Sequence, residues 1–289
     1  MGSIRNFECT YGNAPGISLE ITSALDLEFP DAYKNRESMA ELARAIKAHD
    51  GAGMCLLPFC RTVEIEAMGA TINYGDASAG PRAQEPCCET VEQILELPEI
   101  DYSCGRIREV LEACRLLKES GERVSLEIVG PWTQMQSLMD VRTLFRTQRK
   151  QPELVLAAMN KIGAELLRYV DEARLAGVDI ITYSDSAGTL NILGPRLLEW
   201  TCREFVAPFL QELQEHLGED MVVQVCPKFA YALLDCGLAH EEVHDLGHRV
   251  DFVDAIFELR HDINMVGQAC IKNIGVAIED GKIKELIIA

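Results

Sequence analysis

Four apolar runs of strand length, each closed by turn-forming or polar residues, constrain this chain most. Residues 54–57 lead into Pro58-Phe59-Cys60-Arg61, and residues 124–129 stop at Gly130-Pro131-Trp132-Thr133. Residues 178–182 end in Tyr183-Ser184-Asp185-Ser186, and residues 221–225 end in Cys226-Pro227. Short continuous apolar runs bounded in this way fit strands buried on both faces. Between them, residues 36–48, 107–120 and 152–176 carry apolar side chains at three- and four-residue spacing, and Gly51 and Gly177 stop two of these segments. Helix, glycine, strand and polar end in repeated order predict a parallel α/β sheet or barrel, whose chemistry would collect at the carboxyl ends of the strands.

A chain of 289 residues with 48% apolar content fits one domain of this kind, here residues 1–289. The net charge of −19 argues against nucleic acid, which needs clustered Lys and Arg. No apolar stretch reaches the roughly 18 residues of a bilayer crossing, and the start of the chain lacks a basic and apolar leader. A cytoplasmic protein is expected. The eleven cysteines, an odd number spread along the chain, fit a reducing, anaerobic setting better than a disulfide framework.

The order of short motifs is more specific. Phe29-Pro30-Asp31-Ala32, residues 58–69, Tyr74-Gly75-Asp76, Gly80-Pro81, residues 130–133, residues 179–186, Leu193-Gly194-Pro195 and residues 204–208 together resemble the uroporphyrinogen decarboxylase superfamily. Within it they are most similar to the corrinoid-dependent methyltransferase branch, over roughly residues 29–270. The resemblance implies a TIM-type (β/α)8 barrel. Decarboxylases of the family carry an arginine-rich N-terminal segment for a polycarboxylate, whereas Arg5, Arg36, Arg44 and Arg61 stand isolated here.

The methyltransferase branch implies zinc held by a His-x-Cys at one strand end and a later Cys. The matching residues are Gln224-Val225-Cys226 and Cys270, so an amide stands where the imidazole would be. The branch also includes the first methyltransferase of anaerobic O-demethylases, associated with a Glu-x14-Glu-x20-His zinc spacing that recurs here as Glu204, Glu219 and His240. If residues 203–217 form one helix, those two glutamates lie about 20 Å apart and share no ion. The expected activity is transfer of a methyl group from a phenyl methyl ether to Co(I) of a partner corrinoid protein. The alternatives are a methylcobamide:thiol (coenzyme M type) methyltransferase and a uroporphyrinogen decarboxylase. No Asp-x-His-x-x-Gly signature is present, so any cobalamin would ride on the partner.

An aryl ether is a poor leaving group and needs an acid or a Lewis acid at its oxygen. Asp185, Glu258 and His261 are the candidates for this catalytic role, the last two following an expected strand at residues 253–257. Trp132, Tyr183, Phe229 and Gln224 are the candidates for substrate contact, the aromatic ones as apolar walls. Residues 17–21 read as a further strand and residues 240–250 as a helix. Residues 276–288 read as a C-terminal β-hairpin on the Asp280-Gly281 turn, with a modified closing strand to the barrel. The exposed hairpin would pair with a second copy to make a homodimer.

Overall fold

In the computed structural model, which describes residues 4–8, 17–272 and 275–289, the apolar runs assemble into one central sheet. Its strands are β1 (Cys55–Leu57), β2 (Val124–Val129), β3 (Ile180–Ser184), β4 (Val222–Val225), β5 (Ala239–Asp245), β6 (Met265–Val266) and β7 (Lys282–Ile288). They lie in the order β1-β2-β3-β4-β6-β7-β5. The pairs from β1 through β2, β3 and β4 to β6 are parallel, while β7 runs antiparallel to both β6 and β5. The helices that bear on the site are α1 (Arg36–Asp50), α2 (Val63–Ala67), α3 (Gly105–Glu119), α4 (Pro131–Leu138), α5 (Pro152–Leu175), α6 (Pro227–Asp235) and α7 (Phe252–Leu259). This is the winding of a TIM-type barrel with a modified closure, since among the described residues no ladder joins β1 to β5.

Local chemistry explains the helix ends. Asn35 accepts from the N–H groups of Glu37 and Ser38 to start α1, and Gly51, at φ 68°, ends it in the left-handed conformation. Between Leu190 and Gln214 the helical path passes through a π turn at Cys202–Val206, immediately before Pro208. The wider turn accommodates a residue that has no N–H and whose ring would clash with the preceding turn.

Along the parallel strands, side chains alternate between two environments. Leu126, Ile128, Ile181, Tyr183, Val223 and Val225 face the large core shared with the helices. Ile180, Val222 and Val266 belong to a second, inner cluster with Met54 and Ile283. Ser125 bonds Thr182 and Ser184 bonds Glu127, so these polar residues share the inner face. The register of the strands places Glu127, Thr182, Gln224 and Val266 in one row across four strands.

Four local expectations are corrected. Residues 17–21 give no strand; Leu19–Ala24 is a helix started by the Ser18 side chain. Residues 239–245 form a strand rather than a helix, because Lys282–Ile288 supplies a complete antiparallel partner. The 253–257 run lies within α7, where Phe252, Ala255 and Ile256 make the buried stripe of a helix. Residues 276–288 are no hairpin: Ala277–Ile278 pairs with Val250–Asp251, and β7 pairs with β5 and β6. The exposed edge is therefore β5.

The turn that feeds β7 is sterically demanding. Gly281 sits at φ 67°, and a Cβ there would fall 2.4 Å from the His248 carbonyl oxygen. Gly281→Ala should cost about 1–3 kcal/mol in chemical denaturation; an unchanged midpoint would contradict the path of the terminal strand.

Candidate functional site

A carboxylate lies inside the sheet at the carboxyl end of β2. Glu127 is 5% exposed, and its Oε1 accepts from Ser184 Oγ at 2.6 Å. Lys272 Nζ donates to Oε2 at 2.5 Å, and Arg61 Nε lies 3.7 Å from Oε1. Burial by itself would raise the Glu127 pKa; the charges of Lys272 and then Arg61 outweigh it and hold the group below the usual carboxylate range. Arg61 also donates to Ser186 Oγ at 3.3 Å, which lies 3.2 Å from Thr133 Oγ1. The loops after β1, β2, β3 and β6 thus meet in one polar network.

The two thiols enter the same end. The Cys226 N–H continues the β3–β4 ladder by donating to the Tyr183 carbonyl at 2.9 Å, and the parity of Gln224 carries Cys226 to the inner face. Cys270 follows the adjacent parallel strand β6, and both residues are partly exposed. Gln224 is 1% exposed, and its amide nitrogen donates to the Val225 and Ala269 carbonyls at 2.8 and 2.9 Å. Among the described residues, no group of three or more His, Cys, Asp or Glu side chains is placed to hold a metal ion. Two thiols beside a committed amide do not make the three-ligand set of a catalytic zinc.

The other expected site residues are dispersed. Trp132 is buried, not presented at the turn: its indole donates to Thr201 Oγ1 at 3.0 Å and stacks on Phe145. Tyr183 faces the helical layer, against Phe209 and Phe229, and Phe229 is itself 1% exposed. These rings pack the core instead of walling the mouth. Asp185 accepts from the N–H groups of Trp132, Thr133 and Gly188 and from the Thr133 hydroxyl, at 2.6–3.2 Å. It caps α4 and the following turn; burial pushes its pKa up to about 6 against those bonds.

Glu258 and His261 leave the mouth altogether. With α7 in place of a strand, Glu258 pairs with His248, and His261 lies beside Asp220 in a pocket with Arg123 and Asp179, at the amino ends of β2 and β3. Glu204 and Glu219 are exposed, and exposed His240 pairs with Glu242. The spacing that links the three does not converge on an ion.

Glu127, Ser184 and Lys272 are not among the residues the sequence points to. A single acidic residue inside the apolar run 124–129 was the available signal. A second buried carboxylate, Glu64, accepts from the Val129 N–H at 3.0 Å, while its Oε2 has no hydrogen-bond partner among the described residues. Gln134 donates to the Val129 carbonyl at 2.6 Å. Nearby, buried Arg106 donates to Cys60 Sγ at 3.1 Å, to Thr62 Oγ1 at 2.7 Å and to Glu66.

Comparison with known proteins follows the same lines. The family model uroporphyrinogen decarboxylase (URO-D) matches residues 20–270. A methylcobamide:CoM methyltransferase (MtaA) of Methanosarcina barkeri is 27% identical over 226 residues, 76% of this chain and 65% of that protein. A second (MtbA), of Methanosarcina acetivorans, is 23% identical over 72% of this chain and 62% of that protein. The chain therefore spans just under two thirds of these relatives. A solved methyltransferase from Methanosarcina mazei superposes with a TM-score of 0.65 at 26% identity, covering 77% of this chain and 66% of that one.

Burial raises the Glu64 pKa from 4.5 to about 7, and the Glu127 charge adds to it. The folded protein then binds a proton that the unfolded chain has released, so this group lowers stability as pH rises between those values. Glu64→Gln should flatten the fall in denaturation midpoint between about pH 4.5 and 7; an unaltered slope would show that Glu64 is ionised throughout.

Proposed function

The chain belongs to the uroporphyrinogen decarboxylase (URO-D) family, and from that premise we propose that it is a corrinoid-dependent methyltransferase moving a methyl group between a partner protein's cobalt and a small thiol. The observation that carries the reading is that Cys226 and Cys270 follow two adjacent parallel strands at the end of the sheet where Glu127 gathers Lys272 and Arg61. The similarity to methylcobamide:CoM methyltransferases supports the same chemistry.

Decarboxylation of a polycarboxylate is less well supported. At the mouth Arg61 and Lys272 share a glutamate, and Arg106 is committed to Glu66, Cys60 and Thr62. The phenyl methyl ether expected as donor loses support too, because the rings meant to wall its site pack among the helices. A thiol needs no such walls. When docked, the corrinoid protein would supply a cobalt-bound methyl group for transfer to a thiolate sulfur, an S–C bond replacing the Co–C bond, whose electron pair would stay with the metal. The residues of this chain would supply the rest: Arg61 and Lys272 offset the charge of an anionic acceptor, and Glu127 holds Lys272 in place.

The assay mixes the protein with methylcobalamin, or with a Co(I) corrinoid protein, and follows cobalamin absorbance with thiols and with methoxylated arenes. Demethylation is expected with 2-mercaptoethanesulfonate, and Cys226→Ala should slow it. Lys272→Met should raise KM for that anionic thiol about tenfold, the loss of one charge-assisted contact, and spare neutral 2-mercaptoethanol. A signal with methoxylated arenes alone would return the assignment to the ether, and no signal with any donor or acceptor would end it.

A further inference from the structure

We infer that the adjacent thiols Cys87 and Cys88 are a modification site for small-molecule disulfides, Cys87 taking up the reagent and Cys88 closing on it to form a reversible disulfide that uncaps α4. The inference is independent of the proposed methyl transfer. In an extended chain successive side chains leave opposite faces. Here the backbone bends at Cys87, directly after Pro86, and the two sulfurs lie 3.9 Å apart. An S–S bond of about 2.0 Å then needs an approach of only about 2 Å.

Their surroundings give the two thiols different parts. Cys87 is exposed and open to a reagent, whereas Cys88 is 3% exposed. Burial, and then the charge of a neighbouring Cys87 thiolate, push the Cys88 thiol up. Cys87 is therefore the sulfur that attacks first. Its thiolate displaces one thiolate from the reagent and leaves a mixed disulfide, which removes the Cys87 charge that helped Cys88 keep its proton. Cys88 then gives that proton to solvent and displaces the second thiolate. One reagent S–S bond breaks and one protein S–S bond forms, with two electrons passing from the protein thiols to the reagent.

The consequence for the fold follows from covalent geometry. The ring closed by this disulfide contains the Cys87–Cys88 peptide, and the N–H of that peptide donates to the Leu138 carbonyl at 2.9 Å. Leu138 ends α4, where carbonyls have no intrahelical donor. Cys88 also pairs with Met139 in a parallel bridge. Twisting the peptide to join the sulfurs turns its N–H away from Leu138, and a disulfide strained in this way is of the readily reduced kind. The opposite end of α4 is the one that Asp185 fastens.

The full chain, fully reduced, is incubated with glutathione disulfide, quenched in acid, blocked with N-ethylmaleimide and mapped by mass spectrometry with fragmentation. The Cys87–Cys88 peptide should lose two hydrogens and carry no glutathione. Cys88→Ser should hold one glutathione on Cys87, and folded Cys87→Ser should stay unmodified at Cys88 until denatured. Hydrogen exchange in the oxidised protein should show lost protection of the Cys88 amide, regained with dithiothreitol. A glutathione retained on the wild-type pair, or equal reaction of folded Cys87→Ser, would overturn the order of the two thiols. Protection kept after closure would overturn the uncapping. The wild-type mass and exchange readings need no variant, so a Cys88→Ser chain that does not fold leaves the test intact.

Discussion

Successive residues of a strand point to opposite faces, and in a sheet buried on both sides that parity decides which polar groups can meet. Here it separates neighbours completely. Tyr183 goes to the helical layer with Phe209, while Ser184 turns inward to Glu127. Val225 joins the outer core, while Gln224 and, by the same count, Cys226 turn inward. The inner face is apolar where the strands begin, at Ile180 and Val222, carries hydroxyls at Ser125 and Thr182, and ends in Glu127 and Ser184. The mouth is built by register and needs no specialised domain.

Placing Glu127 on that face has an energetic consequence. An isolated carboxylate taken out of water would neutralise, since the effective penalty is several kcal/mol. The chain meets it with Lys272, 145 residues away in sequence, and with Arg61 from the far side. In a protein of charge −19, two cations gathered on one carboxylate are a committed arrangement, and they draw the loop after β6 towards the loop after β1. Asp185 does comparable work with neutral donors: it ties Trp132 and Thr133 at the start of α4 to the turn after β3. Gly130 is required there, because a Cβ would lie 2.5 Å from Asp185 Cβ.

The parallel strands were legible because burial on both faces leaves short apolar runs, and their carboxyl ends located Cys226 and Cys270 without coordinates. Parity is not legible in the same way: Tyr183 and Ser184 are adjacent in the chain, yet it is the hydroxyl, not the aromatic ring, that turns to Glu127. Glu127 was lost as an interruption in an apolar run, since its cations lie at positions 61 and 272 and no local pattern announces them. Residues 239–259 exchanged helix and strand for a related reason. The charged segment 239–245 becomes a strand through pairing with Lys282–Ile288, whereas Phe252–Leu259 is apolar enough to satisfy either period.

The two buried glutamates at this end of the sheet show how environment assigns opposite roles to one residue type. Glu64 is held only by backbone N–H groups, its second oxygen has no hydrogen-bond partner among the described residues, and burial raises its pKa to about 7. Glu127, equally buried, has two cations and a hydroxyl, and stays below the usual range. A carboxylate held so low is a poor proton acceptor near neutral pH. If the acceptor is the thiol proposed above, Glu127 would be unsuited to deprotonating it, and its value to the site would lie in fixing an ammonium where negative charge enters. The proton of an acceptor thiol would then be lost to solvent at the open mouth, favoured by the positive charge of Lys272 and Arg61 rather than by a dedicated base.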